Sequence, residues 1–490
     1  MTNQIVERLQ NFRNKLFDLF VYRADSTMDL IDAIAGQTVK ESAVKISLCN
    51  LFRRKYSSIT DVVDNMFRRK ANTNPTPDEI NNDQIKITGL ISEQCPDLVK
   101  RSFCLFAVDC SSTARIYSCK MEDRGFVHAP TKIPGQKPIT VGHQYSTLVY
   151  LPERPEPSEP HWVIPLSTIR VKSEETGTLI GIKQMIQTAR QERFKDELCL
   201  LVADSAYSHE KCATRLEQVK NLVLASRMRN NRKFHLKLFN STEPRKRGRP
   251  RIYGESWALN APGECEESII VEHVTTSGGI YKMKIERWSD RLDHGENKQS
   301  INGKGEDVDH KVAPIIFDAI RVTILRPNGQ PMYKKPLWIM VSGERRREIS
   351  IEDIARSYLQ RYDIEHFFRF AKQQLLLTNF QTPDVRHEEN WWWLSVMSYA
   401  MLYLSRIIGD HIRNPWEKKQ ERKTGQTRTP TQVQRSYEGI IRQIGTPACD
   451  PKPRGKSLGR AESTKIPKRK DCPIVKKAKI CKQDASLAAA

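Results

Sequence analysis

Two apolar runs in this chain each end on an aspartate: CLFAVDCS, whose acid is Asp109, and LCLLVADSAY, whose acid is Asp204. An unpaired carboxylate beside a core is costly to desolvate, so both need a reason to be there. A single strand-end aspartate is ordinarily a cap or turn residue. Two in one α/β region, each followed by small polar residues and with a third carboxylate available, point to a divalent-metal site. The third is Glu365, in YLQRYDIEHFFRFAKQQ, where Tyr358, Arg361, Glu365 and Lys372 stand at relative offsets 0, 3, 7 and 14 and so share one stripe of a helix. Ile364, Phe367, Phe368, Ala371 and Leu375 form the apolar face of that helix. Alone, Arg361 and Glu365 read as an i,i+4 surface ion pair worth a few tenths of a kcal/mol. Beside two strand-end aspartates, the stripe offers a metal ligand flanked by cations that suit phosphate.

The elements that must position these residues follow from periodicity. Strands are expected over 103–108, 144–151 and 162–171, able to form a meander, then over 198–203 and 222–226, with helices over 178–190 and 209–219 between. The stretch 230–335 interrupts this order with Gly, Pro, charges and short β-like pieces, and is expected to be an inserted, β-rich subdomain. A strand over 336–341 and a long helix over 351–377 resume it. The α/β region thus comprises 100–229 and 336–410.

Ahead of it, 1–90 reads as a small all-helical domain. Ile5, Leu9, Phe12, Leu16 and Leu19 give one amphipathic helix; a second is capped by Asp25 or Ser26 and ended by Gly36; a third starts at the box Ser58-x-x-Asp61. Arg53, Arg54, Lys55, Arg68, Arg69 and Lys70 bracket the third, and phosphate contact is favoured over a solvated basic face. The stretch 72–83 looks like a linker. Past Trp416, 417–490 is basic and poor in apolar residues, which predicts a disordered or loosely helical tail.

Composition narrows the partner. Lys and Arg exceed Asp and Glu by 80 − 58 = 22 in 490 residues, which suits a polyanion, nucleic acid first, better than a small neutral substrate. The eleven cysteines form no C-x-x-C pair, and Cys104 and Cys199 lie in apolar runs, as buried thiols do in a reducing compartment. No signal-peptide core opens the chain, and the longest apolar stretch, 394–408, is broken by Ser395, Ser398, Tyr399, Ser405 and Arg406, so a cytoplasmic, membrane-free protein is expected. Arg247-Gly248-Arg249-Pro250 resembles an AT-hook core, whose arginines fit a narrow minor groove, and reads equally as a basic loop.

The spacing Tyr358-(2)-Arg361-(3)-Glu365-(6)-Lys372 resembles, without deviation, the Y-(2)-R-(3)-E-(6)-K signature of a group of bacterial insertion-sequence transposases of the DDE class. With the two aspartates, the resemblance spans about 103–404. It implies an RNase H-like (retroviral-integrase-like) catalytic domain, a β-rich insertion after the second Asp, and catalysis by Asp109, Asp204 and Glu365 with Mg²⁺, or Mn²⁺ in its place. It further implies action on double-stranded DNA: terminal inverted repeats, cut through a hairpin on the transposon end, and then target DNA, with a homodimer on paired ends in the bacterial cytoplasm. Tyr358, Arg361 and Lys372 would contact DNA; Arg227, ending the fifth strand, matches a DNA-contacting position loosely. Trp257, Trp288 and Trp338 are candidates to hold a flipped base and read more readily as core aromatics. An RNase H-like nuclease or resolvase would share the carboxylates without the stripe or the helical block. A non-catalytic DNA-binding descendant would typically have lost a carboxylate.

Overall fold

The computed structural model describes residues 2–37, 42–70, 73–129, 136–154, 156–216, 219–237, 253–293, 297–301, 307–311, 314–408, 427–453 and 468–476. Five helices come first: α1 (Thr2–Leu19), α2 (Ala24–Gly36), α3 (Ala43–Ile46), α4 (Ser57–Asn65) and α5 (Pro77–Ser92). The α/β part follows with β1 (Cys104–Ala114), β2 (Gly125–His128), β3 (Ile139–Tyr150), β4 (Ile164–Val171), α6 (Gly177–Ala189), β5 (Cys199–Ala203), α7 (Glu210–Leu216) and β6 (Leu222–Arg227). Next are β7 (Lys233–Lys237), β8 (Tyr253–Ala258), β9 (Glu267–Val274), β10 (Ile280–Asp293), β11 (Asn297–Ile301), β12 (Asp307–Lys311), β13 (Ile315–Leu325) and β14 (Leu337–Ser342). The chain ends with α8 (Ile351–Gln360), α9 (Asp363–Gln374), α10 (Val385–Ser405) and α11 (Pro430–Ile444).

One sheet dominates, in the order β2-β3-β1-β5-β6-β14-β13-β10-β7-β8, with β4 also on β3 and β9 also on β10. β3 runs antiparallel to both β1 and β4, whereas β1, β5 and β6 run parallel. Parallel strands are covered on both faces, and β5 accordingly is five consecutive buried residues. The stretch expected as an inserted β subdomain is strand-rich, and its strands extend this sheet through β14, which pairs antiparallel with β6 and β13. Met283, Ile285, Ile320 and Val322 belong to the same apolar core as β1 and β5; a second cluster beyond them gathers Phe234, Trp257, Trp288, Phe317 and Trp338.

The helical layer forms around α10, of which nearly every residue is buried. A helix apolar all round is one packed on all sides: α10 lies against β4 on one side and α2, α4 and α11 on the other. Several of its polar groups are satisfied across these contacts. Ser398 donates to Ile31 O at 3.1 Å, Asn390 to Val63 O at 2.8 Å, and buried Glu388 takes Arg115, His143 Nδ1 at 2.8 Å and the Tyr145 hydroxyl at 2.9 Å. The N-terminal helices share this continuous core with the sheet.

Four expectations are corrected. Asp25 and Ser26 lie inside α2, whose N-cap is Arg23 with φ 60° and no side-chain bond. The Ser58 box is not formed, because α4 starts at Ser57 after Tyr56. Half of the expected linker is helix: Thr76 and Glu79 form a reciprocal capping box that starts α5 at Pro77. The basic tail contains α11, opened by a second such box, Thr429 with Gln432, and buried through Val433, Tyr437, Ile440 and Ile441. Residues 468–476 lie along β2, where Val475 bridges Gly125. Among the described residues no helix is long and apolar enough to cross a membrane, and every cysteine is free.

Candidate functional site: a carboxylate centre

β1 and β5 are paired in parallel from Cys104↔Cys199 to Ala107↔Val202. Carrying that register on by two residues sets Asp109 level with Asp204 on the same face, just past the last paired residues. Side chains alternate with period two, and adjacent strands lie about 4.8 Å apart, so the two carboxylates are neighbours by topology alone. α6 packs closely behind them. A methyl at Gly177 would meet Cys110 Sγ at 2.5 Å, and one at Gly181 would meet the Tyr207 hydroxyl at 2.5 Å, so only glycine lets the helix approach there. Asp204 turns the chain after β5 by accepting from Ala206 N–H at 2.9 Å.

Glu365 arrives on α9. The expected single long helix is two, α8 and α9, joined by a tight turn in which Ile364 N–H donates to Arg361 O at 3.2 Å and Glu365 N–H to Tyr362 O at 3.1 Å. These are i→i−3 bonds, a short 3₁₀ stretch of the kind that often marks a functional hinge. Its consequence is local and chemical. Among the described residues Arg361 forms no ion pair with Glu365; its Nη1 lies 3.6 Å from Asp109 Oδ2 instead. The simple surface pair is thus not formed, and Arg361 faces the carboxylate centre.

Asp109 is recessed, its side chain 21% exposed. Burial, reinforced by the charges of Glu365 and then Asp204, pushes its pKa up to about 7, against the Cys110 N–H donated to it at 2.7 Å and the Arg361 guanidinium. Burial also pushes the Cys110 thiol up, to about 12, and the charge of Asp109 adds to this. Lys372 is held below the ordinary lysine value by burial, with Glu365 and Asp109 pulling the other way. Tyr358 is buried; its phenol is raised by burial, eased by the charges of Arg361 and Arg227, and the Arg361 guanidinium lies 5.8 Å from its ring centroid. These couplings place Asp109, Asp204, Glu365, Tyr358, Arg361, Lys372 and Arg227 around one locality. Arg227 is exposed at the end of β6, beside a small pocket with Tyr333, Lys335 and Leu359.

Three oxygen-only donors, one of them kept hard to ionise by burial and then by the charges of the others, suit a hard divalent cation. Among the described residues no three His, Cys, Asp or Glu side chains are already drawn together as ligands, and Arg361 holds the place of counter-charge beside Asp109. A cleft of about 1010 Å³ opens elsewhere, lined by residues such as Asn81, Arg170, Lys183 and Arg386 and by none of the three carboxylates.

Other expected contacts fall differently. Trp257, Trp288 and Trp338 pack on one another with centroids 5.1 to 6.3 Å apart, and all are buried core rings. The AT-hook-like Arg247 and Arg249 lie outside the described residues. Of the six cations around the third helix, Arg53 and Arg54 hold the buried Asp29 at 2.8 and 3.0 Å, Arg69 pairs with Asp83, and Arg68 donates to Asn74 at 3.0 Å. A buried carboxylate needs such partners, which leaves this face less free for phosphate than its composition suggests. The sequence reading missed Tyr207, Cys110 and the partners of Asp363; only Tyr207 carried a local signal, in VADSAY.

The two aspartates at the parting of β1 and β5, with Glu365 close enough to act on Asp109, are an arrangement of oxygen donors that suits a divalent cation. Residues 86–292 match the family described as DDE superfamily endonuclease, which supports a DDE-type transposase or endonuclease. The matched stretch includes Asp109 and Asp204 and stops before Glu365, so the third carboxylate rests on the geometry above. No curated protein matches the chain.

Proposed function

We propose that the chain is a DDE transposase of the insertion-sequence group with the Tyr-Arg-Glu-Lys spacing, cleaving DNA at the element ends and joining the freed 3′-OH to target DNA. The observation that carries this is the level placement of Asp109 and Asp204, with Arg361 turned onto Asp109 by the α8–α9 joint. The order β4-β3-β1-β5-β6, antiparallel then parallel, supports an RNase H-like catalytic domain over 100–229 and 336–410.

Asp109, Asp204 and Glu365 would hold Mg²⁺, with Mn²⁺ able to substitute. When bound, such ions make water or a 3′-OH a stronger nucleophile and absorb charge on the leaving oxygen. Arg361 and Lys372 are the cations placed to hold phosphate oxygens beside the scissile bond. A phosphate there gives Arg361 an alternative to Asp109, freeing that carboxylate as substrate arrives. Tyr358, buried under Arg361, braces the guanidinium. The partners are double-stranded DNA, as terminal inverted repeats and target, and a second copy of the chain, because a two-fold dimer is the commonest way to pair two ends.

The test is cleavage and strand transfer on labelled DNA carrying the sequences that flank the gene. Asp109→Ala, Asp204→Ala and Glu365→Ala should each abolish Mg²⁺-dependent nicking while end binding persists. Arg361→Ala should keep metal affinity yet cleave at least tenfold more slowly, in line with losing a charge-assisted hydrogen bond of roughly 1.5–3 kcal/mol. Full activity in any carboxylate variant removes that residue from the centre. Nicking without strand transfer by the wild type would favour a nuclease.

A further inference from the structure

The α8–α9 joint is gripped from outside. The loop joining β3 to β4 reaches both of its ends: Gln360 Nε2 donates to Pro152 O at 2.8 Å, Arg154 Nη2 donates to Asp363 Oδ1 at 2.9 Å, and His161 Nδ1 lies 2.6 Å from the same oxygen. Asp363 is the first residue of α9 and is 1% exposed. On the next turn, the His366 ring stacks on His161 with centroids 4.2 Å apart and planes 10° from parallel, and Tyr362 meets His366 edge-on at 5.1 Å. The loop itself is pinned, since the Glu153 carboxylate accepts the backbone N–H groups of Val99, Lys100 and Arg101 at 3.0, 2.8 and 3.1 Å.

Residues 360, 363 and 366 are thus tied to the loop, and Arg361 and Glu365 lie between them in the chain. Apolar contacts already hold α9 through Ile364, Phe367 and Phe368, so a buried carboxylate with a guanidinium and an imidazole is not needed for helix packing. Such a group is costly to desolvate, and its best use is to fix one arrangement among several of similar packing. Here the arrangement fixed is the 3₁₀ turn. A change in that turn would rotate α9 about its axis by a large part of a turn per residue, swinging Glu365 away from Asp109 and Asp204.

We infer that Asp363, bracketed by Arg154 and His161, is a positioning residue that acts through the α8–α9 joint to aim Glu365 and Arg361 at the two strand-end aspartates. The inference rests on reading those carboxylates as a metal centre.

The experiment is Mn²⁺ binding to the full chain by calorimetry, with thermal midpoints and kcat and KM for end cleavage measured alongside. Three variants are compared: Asp363→Ala, Asp363→Asn, and the loop double Arg154→Gln with His161→Gln, which leaves α9 untouched. Asp363→Ala and the loop double should bind Mn²⁺ about tenfold more weakly, the usual scale for losing an outer support of a ligand, and lose kcat with KM for DNA unchanged. Asp363→Asn still accepts both hydrogen bonds and should restore most of the affinity. If Asp363→Ala does not fold, the loop double decides. Wild-type Mn²⁺ affinity in the loop double and in any folded Asp363→Ala would overturn the inference while leaving the metal centre intact. No Mn²⁺ binding by the wild type would remove the metal-centre reading and the positioning role with it.

Discussion

In the proposed centre Asp109 would meet two opposed demands, since it is recessed beside two other carboxylates and would serve as a metal ligand only when ionised. Its carboxyl, ordinarily at 3.8, titrates at about 7 here, mainly through burial. Because the folded-state value lies above the unfolded one, the metal-free native protein binds the extra proton between about pH 4 and pH 7. The sign follows: raising pH through that window lowers native stability, and the ionised side chain is a net cost above it. Asp109→Asn should therefore gain thermal stability over the metal-free wild type, with a margin that grows from about pH 4 to pH 7 and is flat beyond. A cation reverses the preference by favouring the carboxylate, so below pH 7 its binding must expel the proton. Mn²⁺ affinity should rise by up to about tenfold per pH unit below 7 and level off above it, and calorimetry at pH 6 in buffers of different ionisation enthalpy should show proton release. Buffer-independent heats at pH 6 would mean that Asp109 is already ionised.

At the scale of elements, what the sequence makes legible is what is local. A strand-length apolar run closing on a carboxylate identifies β1 and β5, and Tyr358, Arg361, Glu365 and Lys372 identify the segment that faces them, though not its division into α8 and α9. Register and partners are not local. That Asp109 stands level with Asp204 depends on how β1 meets β5, and the turn that directs Arg361 is fixed by Arg154 and His161, 209 and 202 residues from Asp363. Composition was the misleading signal. It concealed α5 among Asn and Asp and α11 among Lys, Arg and Thr, although each opens on a capping box and Val433, Tyr437, Ile440 and Ile441 already trace one helical face. α11 closes the helical layer through a buried triad: Arg13 holds both oxygens of Asp32 at 2.5 and 2.7 Å, and the Tyr437 hydroxyl donates to Asp32 at 3.0 Å. Arg13→Met leaves that carboxylate buried and uncompensated, so urea unfolding should reveal a loss of about 3–5 kcal/mol, whereas Tyr437→Phe should cost about 0.5–1.5 kcal/mol. Truncation after residue 426 should yield aggregated, protease-sensitive protein. A soluble, fully folded truncation would restore the view of this region as a dispensable tail.

For the whole molecule the governing quantity is an excess of 22 positive charges and where it is free to act. In the helical layer many cations already serve internal carboxylates, as Arg13, Arg53, Arg54 and Arg69 do. Phosphate neutralisation must then draw on other groups, and the sequence concentrates basic residues in 245–251, as Arg245, Lys246, Arg247, Arg249 and Arg251. Each phosphate contact that releases a counterion adds about −0.9 to the slope of log K against log salt on duplex DNA, so a protein gripping six to ten phosphates should show a slope of roughly −5 to −9. Replacing those five cations with Gln should make the slope shallower by about 0.9 for each that touches phosphate, and should weaken AT-rich duplexes more than GC-rich ones if Arg249 enters a minor groove. Catalysis per bound complex should be unchanged if these cations serve only to hold the duplex. Filter binding across a salt series separates the outcomes: an unchanged slope makes 245–251 a basic surface loop, an equal loss on all duplexes makes it a backbone contact, and an AT-selective loss gives Arg249 a place in the minor groove.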